Sequence, residues 1–170
     1  LGSELYCGKA GSFGLMASFS FFVAHHMSTI EGGMVCTNDD ELGQMLRVVR
    51  ANGWDRNLTA KQKHSWRERH QVNSEFDAKY TFYDLGYNLR PTEITGFIGN
   101  YQLQFLEENI RLRQENFLNI EKFYNKNDDL IKINHENLKT ISNFSFPIIA
   151  KTENLRDLYI RQCSGAGIEI

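Results

Sequence analysis

The sequence predicts a folded chain of mixed strands and helices, and three observations carry that expectation. An apolar run from Leu15 to Phe22 is followed by a polar, glycine-containing stretch and a second short apolar run from Met34 to Thr37, the pattern of two strands joined by a reversal. A helix signature begins at Asn38 and ends at Gly53. A much longer helical pattern opens at Pro91. With 170 residues, 41% of them hydrophobic and 24% charged, the chain is long enough for an ordinary hydrophobic core.

At the start of the chain, Leu1 to Gly8 read as the middle of a loop and no methionine precedes them, so the chain is expected to be part of a longer protein. Gly8, Gly11 and Gly14 punctuate a turn before Leu15 to Phe22, whose apolar residues face both ways, as in a strand buried on both sides. His25 to Gly33 then present polar groups at the end of that strand, with Gly32 and Gly33 permitting a tight reversal. Asn38 with Glu41 three residues on has the form of a capping box. Leu42, Met45, Leu46 and Val49 keep helical spacing until Gly53 stops the helix. From Trp54 to Lys79 periodicity is lost and charge is mixed, which predicts a long, partly irregular excursion with its tip at the surface. Pro91, Thr92 and Glu93 open the next helix, with Ile94, Phe97, Ile98, Tyr101 and Phe105 on one face and Gly96 and Gly99 allowing a neighbour to approach closely. Taken to Asn125 as one helix it would be about 50 Å long at 1.5 Å per residue; it either breaks near Glu107 to Asn109 or bridges two domains, and we favour the bridge. Phe144 to Ala150 read as a strand, and Leu155, Leu158 and Tyr159 as the face of a last helix.

Several function classes are disfavoured. A formal net charge of −2 gives no basic field of the kind that holds a nucleic-acid backbone, and the basic stretch from Lys61 to His70 reads as a solvated face. The apolar run Phe13 to Ala24 is too short for the roughly 20 residues that span a bilayer, and it lacks the form of a signal segment, so a cytoplasmic protein without membrane contact is expected. Cys7, Cys36 and Cys163 have no metal-ligand spacing and read as free thiols. The adjacent His25 and His26 diverge and lack a third ligand at a zinc interval, so no metal is expected.

The setting of the histidines is more informative than the pair itself. Ser20 is followed five residues later by His25 and, six further on, by Glu31, Gly32 and Gly33. This spacing resembles the active-site segment of the DegT/DnrJ/EryC1/StrS sugar aminotransferase family, in which the position of His25 is held by the cofactor lysine. A second family block resembles the run Gly86, Tyr87, Asn88, Leu89, Arg90, Pro91, Thr92, Glu93, Ile94. The resemblance implies an α/β fold, part of the fold-type I architecture of pyridoxal phosphate enzymes. Residues 1–107 would be the C-terminal part of the large cofactor-binding domain and 108–170 the beginning of the small one. The acidic partner of the pyridine nitrogen would lie upstream of Leu1.

Histidine for lysine is a chemical departure, because an imidazole cannot form the covalent tether to pyridoxal phosphate. The same exchange typifies the family's 3-dehydratase branch. The resemblance therefore implies pyridoxamine or pyridoxal 5′-phosphate held without a covalent bond, and a nucleotide-linked 4-keto-6-deoxyhexose as substrate. His25 would be the base that removes the C4′ proton so that the C3 hydroxyl leaves. An imidazole ordinarily titrates near ~6.5 and a lysine near ~10.4, so the exchange offers a neutral base at physiological pH. Ser20 would donate to the cofactor phosphate, and Asn88 would reach the phosphate of a neighbouring subunit, which implies a homodimer with shared sites. Arg90 would steer the substrate diphosphate or serve a surface ion pair. No cysteine lies between Gly53 and Tyr80, which favours the branch type without an iron–sulfur cluster, which takes nitrogen from L-glutamate. Two rivals stay open: an aminotransferase that uses another lysine, such as Lys9 or Lys79, and a non-catalytic cofactor-binding protein.

Overall fold

The computed structural model describes residues 1–170 and mixes helices with short antiparallel strands. It divides into two compact units: Gly11–Gln102, and Leu1–Ala10 together with Leu103–Ile170. No helix is long and apolar enough to cross a membrane.

In the first unit, β1 (Ala17–Ser20) pairs antiparallel with β2 (Gly33–Cys36), with Phe19 opposite Met34 and Ser20 opposite Gly33. Side chains of β1 alternate between half-buried and exposed, and all four residues of β2 are exposed. The expected strand buried on both sides is therefore a half-covered ribbon, since within this unit a single partner strand covers it.

Helix α1 (Asp40–Val49) is capped by Asp39, whose side chain accepts from the Leu42 amide at 2.8 Å. The cap lies one residue beyond Asn38 because Thr37 Oγ1 accepts from the Asp39 amide and fixes that residue in the extended conformation the cap requires. Its most buried residue is Val48, fully enclosed with Leu58 and Trp66 and flanked by Tyr83. Helical spacing alone pointed to the Val49 side; the burial is set by the segment from Asp55 to Tyr83 that folds over the helix.

That segment, expected to be partly irregular, carries three short helical elements joined by turns. A 3₁₀ turn (Asp55–Asn57) leads to α2 (Ala60–Arg69) and α3 (Glu75–Ala78). Thr59 and Gln62 form a reciprocal capping box on α2, and Ser74 caps α3. Trp66 anchors α2 in the core and its indole N–H donates to Gln44 on α1 at 2.9 Å.

The chain then crosses back over the end of α1. Gly53 holds a φ of +81°, a left-handed conformation that favours glycine. A Cβ on Gly53 would overlap the Asp84 carbonyl, and one on Gly86 would overlap the Gly53 nitrogen and the Asn52 backbone. This close crossing lets the Asn52 amide donate to Tyr87 at 2.9 Å, Tyr87 to Val49 at 2.7 Å and Leu89 to Arg50 at 2.9 Å. Helix α4 (Glu93–Leu103) starts just beyond, with Thr92 accepting from the Thr95 amide.

The long helical pattern is two helices, α4 and α5 (Leu106–Tyr124), with turn residues Gln104 and Phe105 between them. The favoured continuous bridge is thus replaced by a break, slightly earlier than the alternative placed it. The two pieces bury different sets: α4 has no buried residue, whereas α5 buries Phe117 and Tyr124.

In the second unit the opening residues are a hairpin, not a loop: β3 (Glu4–Leu5) lies between β4 (Gly8–Lys9) and β5 (Leu138–Thr140). Phe117 and Tyr124 pack on Phe146 with ring centroids 5.1 and 5.3 Å apart, and Tyr124 donates to Ile131 at 2.6 Å. The expected strand from Phe144 to Ala150 makes only one isolated bridge, Leu130 with Ala150, so the ladder never propagates. Thr152 caps α6 (Glu153–Gly165).

The backbone crossing yields a test. Gly86→Ala should lower stability by about 3 kcal/mol through forced backbone displacement, measured as a fall in the thermal midpoint of the parent protein. Gly165→Ala, where a Cβ meets nothing within 4 Å, should leave that midpoint unchanged or slightly raised.

Candidate functional site

His25 lies in a loop that β1 and β2 hold shut. The Phe21 amide donates to Gly32 at 2.9 Å and the Phe21 carbonyl accepts from the Thr29 amide at 2.8 Å. One backbone residue thereby closes the segment at two points. Gly32 has a φ of +148° and a Cβ there would sit 2.5 Å from Thr29 Oγ1; a Cβ on Gly33 would sit 2.9 Å from the Phe19 carbonyl. The paired glycines of the motif are thus required by the closure itself.

Inside the loop, Ala24 and Ile30 both adopt left-handed backbone, at φ 71° and 72°. For an L-residue this costs roughly 1–2 kcal/mol, and a β-branched residue there is a true outlier. Strain therefore brackets the segment that carries His25.

His25 itself is half-buried, its ring edge-on to Phe22 at 6.2 Å. Its amide donates to Phe22 at 3.2 Å and its Nδ1 lies 3.4 Å from the Val23 carbonyl. A carbonyl only accepts, so this contact favours the tautomer with the proton on Nδ1 and the basic lone pair on Nε2. His26, by contrast, is buried at 8% exposure. The two histidines have different surroundings, and His25 is the more accessible.

Ser20, at the end of β1, is exposed, and its Oγ accepts from the Phe22 amide at 3.4 Å. That bond uses an oxygen lone pair and leaves the hydroxyl proton for another acceptor. Ser20 and His25 are therefore carried by one strand and its loop.

Asn88 and Arg90 come from the segment that crosses α1. Asn88 makes a β-bridge with Ala51, and its Oδ1 accepts from Arg90 Nε at 3.4 Å. Both side chains are exposed. Helix α4, just beyond them in the chain, meets the histidine loop: a Cβ on Gly99 would lie 3.3 Å from Thr29 Cγ2, while one on Gly96 would meet nothing. Of the two glycines expected to admit a neighbour, Gly99 does so.

A cationic recess escapes a reading of the sequence alone. It has a volume of about 140 Å³ and is lined by Trp54, Asp55, Arg56, Lys63, Arg67, Ala78 and Lys79. Asp55, 4% exposed, pairs with Arg67 Nε at 2.9 Å and accepts from Tyr83 at 3.3 Å. The Asp55 hydrogen bond, more than the bond to Glu75, holds the Arg67 guanidinium above the ordinary arginine range. Burial, reinforced by the Asp55 carboxylate, pushes the Tyr83 phenol up. Arg56 lies over the Trp54 ring at 3.8 Å, and Phe82 stacks on the same indole at 5.1 Å. With Arg67 paired to Asp55 and Glu75, the remaining cations Arg56, Lys63 and Lys79 make the recess suited to an anion. The available signals were the capping patterns at Thr59 and Ser74, which mark helices on either side of it.

Comparisons with known proteins bear on the family and the fold. The DegT/DnrJ/EryC1/StrS aminotransferase family matches residues 1–170. A GDP-4-keto-6-deoxy-D-mannose 3-dehydratase of Escherichia coli O55:H7 is 37% identical over 164 residues, covering 94% of this chain and 40% of that protein. The solved structure of an E. coli GDP-4-keto-6-deoxy-D-mannose 3-dehydratase with bound hydrated PLP superposes with a TM-score of 0.80 at 33% identity, over 99% of this chain and 43% of the other. A GDP-4-keto-6-deoxymannose 3-dehydratase with a trapped PLP-glutamate geminal diamine gives 0.81 at 33% identity, over 99% and 43%. The chain thus spans about two fifths of the length of these relatives, and its α/β fold is part of theirs.

The buried pair beside the recess is directly testable. Arg67→Met strands the Asp55 carboxylate and should cost about 3 kcal/mol, whereas Glu75→Gln removes only an exposed partner and should cost under about 0.5 kcal/mol. Chemical denaturation of the two variants reads the difference.

Proposed function

The chain belongs to the DegT/DnrJ/EryC1/StrS aminotransferase family, and from that premise we propose that its parent protein removes the C3 hydroxyl of GDP-4-keto-6-deoxymannose or a close nucleotide-linked 4-keto-6-deoxyhexose. The observation that carries this reading is His25, at the family's lysine position in a loop fixed at both ends. Relatives named as this 3-dehydratase support it.

The residues fit a cofactor held without a covalent bond. Ser20 retains a hydroxyl proton for a phosphate oxygen, and no lysine occurs from Phe21 to Gly33 to act as a tether. Pyridoxamine phosphate supplies an amine for the 4-keto carbon and a ring that accepts electrons. Nε2 of His25, the nitrogen that the Val23 contact favours as the unprotonated one, would take the proton at C4′. Asn88 reaches the phosphate of a second subunit in a homodimer with shared sites. L-glutamate restores the amine form, a role supported by the PLP-glutamate adduct in a similar protein. The Trp54 recess, with Arg56 and Lys79, is suited to the substrate diphosphate; Arg90 is the second candidate for that charge. The reaction is one of a cytoplasmic enzyme acting on a nucleotide sugar.

Three measurements on the parent protein test this. His25→Asn should lower 3-dehydration by about 10³-fold, within the range of general-base catalysis. Borohydride reduction of the pyridoxal phosphate form followed by mass spectrometry should give no covalent adduct; an adduct mapped to Lys9, Lys79 or any other lysine would instead establish an aminotransferase. Arg56→Ala should raise KM for the nucleotide sugar roughly tenfold or more, as expected for loss of a charge-assisted hydrogen bond, while Arg90→Ala decides the rival assignment by the same assay.

A further inference from the structure

The histidine loop carries two left-handed residues without glycine, and one of them is held by its neighbour's hydroxyl. Thr29 is 5% exposed, and its Oγ1 donates to the Glu31 carbonyl at 2.7 Å. That bond spans Ile30, the residue at φ 72°, and closes a small ring around it. The Ile30 amide is held from the other side by Ser28 Oγ at 3.1 Å. The Thr29 amide is one of the two loop closures on Phe21, and its methyl faces the backbone of Gly99 on α4. Thr29 thus joins the strained residue, the strand and the helix.

We propose that Thr29 is a positioning residue for His25, a reading that rests on the dehydratase function above. Its hydroxyl keeps Ile30 in the left-handed conformation. With Ile30 held there, Glu31 and Gly32 lie where Gly32 can close on Phe21, and His25 projects from a loop of fixed length. Without the hydroxyl, Ile30 relaxes toward the ordinary regions of an L-residue and the closure loosens. Glycine at position 30 adopts positive φ without a Cβ penalty and removes the need for the hydroxyl. The dependence on Thr29 therefore runs through Ile30, which distinguishes positioning from simple packing.

The test is a double-variant cycle in the full-length pyridoxamine phosphate enzyme, with two readouts: turnover, and hydrogen–deuterium exchange of residues 21–32. Thr29→Val, which keeps the shape and loses the hydroxyl, should lower kcat about tenfold with KM within about twofold, and should speed exchange of the loop amides. Thr29→Ser should restore both. In an Ile30→Gly background, Thr29→Val should cost less than about threefold. The proposal is overturned if Thr29→Val changes neither readout, or if Ile30→Gly fails to relieve its effect. Where Thr29→Val alone does not fold, a folded Thr29→Val/Ile30→Gly protein supports the proposal and an unfolded one overturns it. Absence of turnover in the unmodified enzyme would count against the dehydratase reading, while the exchange readout still decides the role of Thr29.

Discussion

The close crossing of Gly53 and Gly86 is the constraint on which the first unit depends. Two backbone segments meet there with no room for a Cβ on either. The contact brings Tyr87 to Leu89 against the C-terminal end of α1, where the Tyr87 and Leu89 amides donate to the Val49 and Arg50 carbonyls that the end of the helix leaves open, and the Tyr87 carbonyl accepts from Asn52 in return. It also fixes the start of α4, whose Gly99 then touches Thr29 in the histidine loop. Two motifs more than fifty residues apart in the chain are thereby tied through one crossing and one helix.

Much of the local structure of the candidate site was legible because its signals are local. The spacing from Ser20 through His25 to Gly32 and Gly33 reflects a strand, a loop and a return strand whose closure needs small residues at fixed places. The α4 start at Thr92 was readable from Pro91 and Thr92, and the α6 start from the apolar spacing just past Thr152. Features set by distant partners were not readable in the same way. Val48 is buried because Leu58 and Trp66 cover it, and Trp66 sits in a helix whose other residues are almost all polar or charged. A helix with so little apolar periodicity is held by one aromatic anchor and its caps, so a reading by periodicity alone takes it for a loop. The recess went unseen for the same reason, because its cations come from the 3₁₀ turn, α2 and the end of α3. The break between α4 and α5 was hidden by apolar positions that continue in helical register while the burial they serve changes.

The two histidines illustrate why adjacency in sequence says little about role. His26 is buried, whereas His25 faces outward enough to act and has a carbonyl at Nδ1 that favours one tautomer. The positive φ of Ala24 turns the chain just before them. The turn falls after β1 has ended at Ser20, so the two imidazoles are presented by loop backbone and their different burial owes nothing to strand alternation.

Replacing a lysine by a histidine also changes what the loop must do. A lysine reaches its target through a flexible four-carbon stem, and once covalently joined it is held by the bond itself. Slack in the backbone is absorbed by the side chain. An imidazole has two side-chain torsions and no bond to hold it, so its reach is set almost wholly by the backbone that carries it. Proton transfer tolerates only hydrogen-bond distances, and misplacement by about an ångström can cost two orders of magnitude in rate. In the proposed role, a non-covalent base at position 25 would need a more rigid support than a tether would. The double closure on Phe21, the Thr29 bond across Ile30 and the packing against Gly99 provide that support, and the strain at Ala24 and Ile30 is the consequence of fixing the loop so tightly.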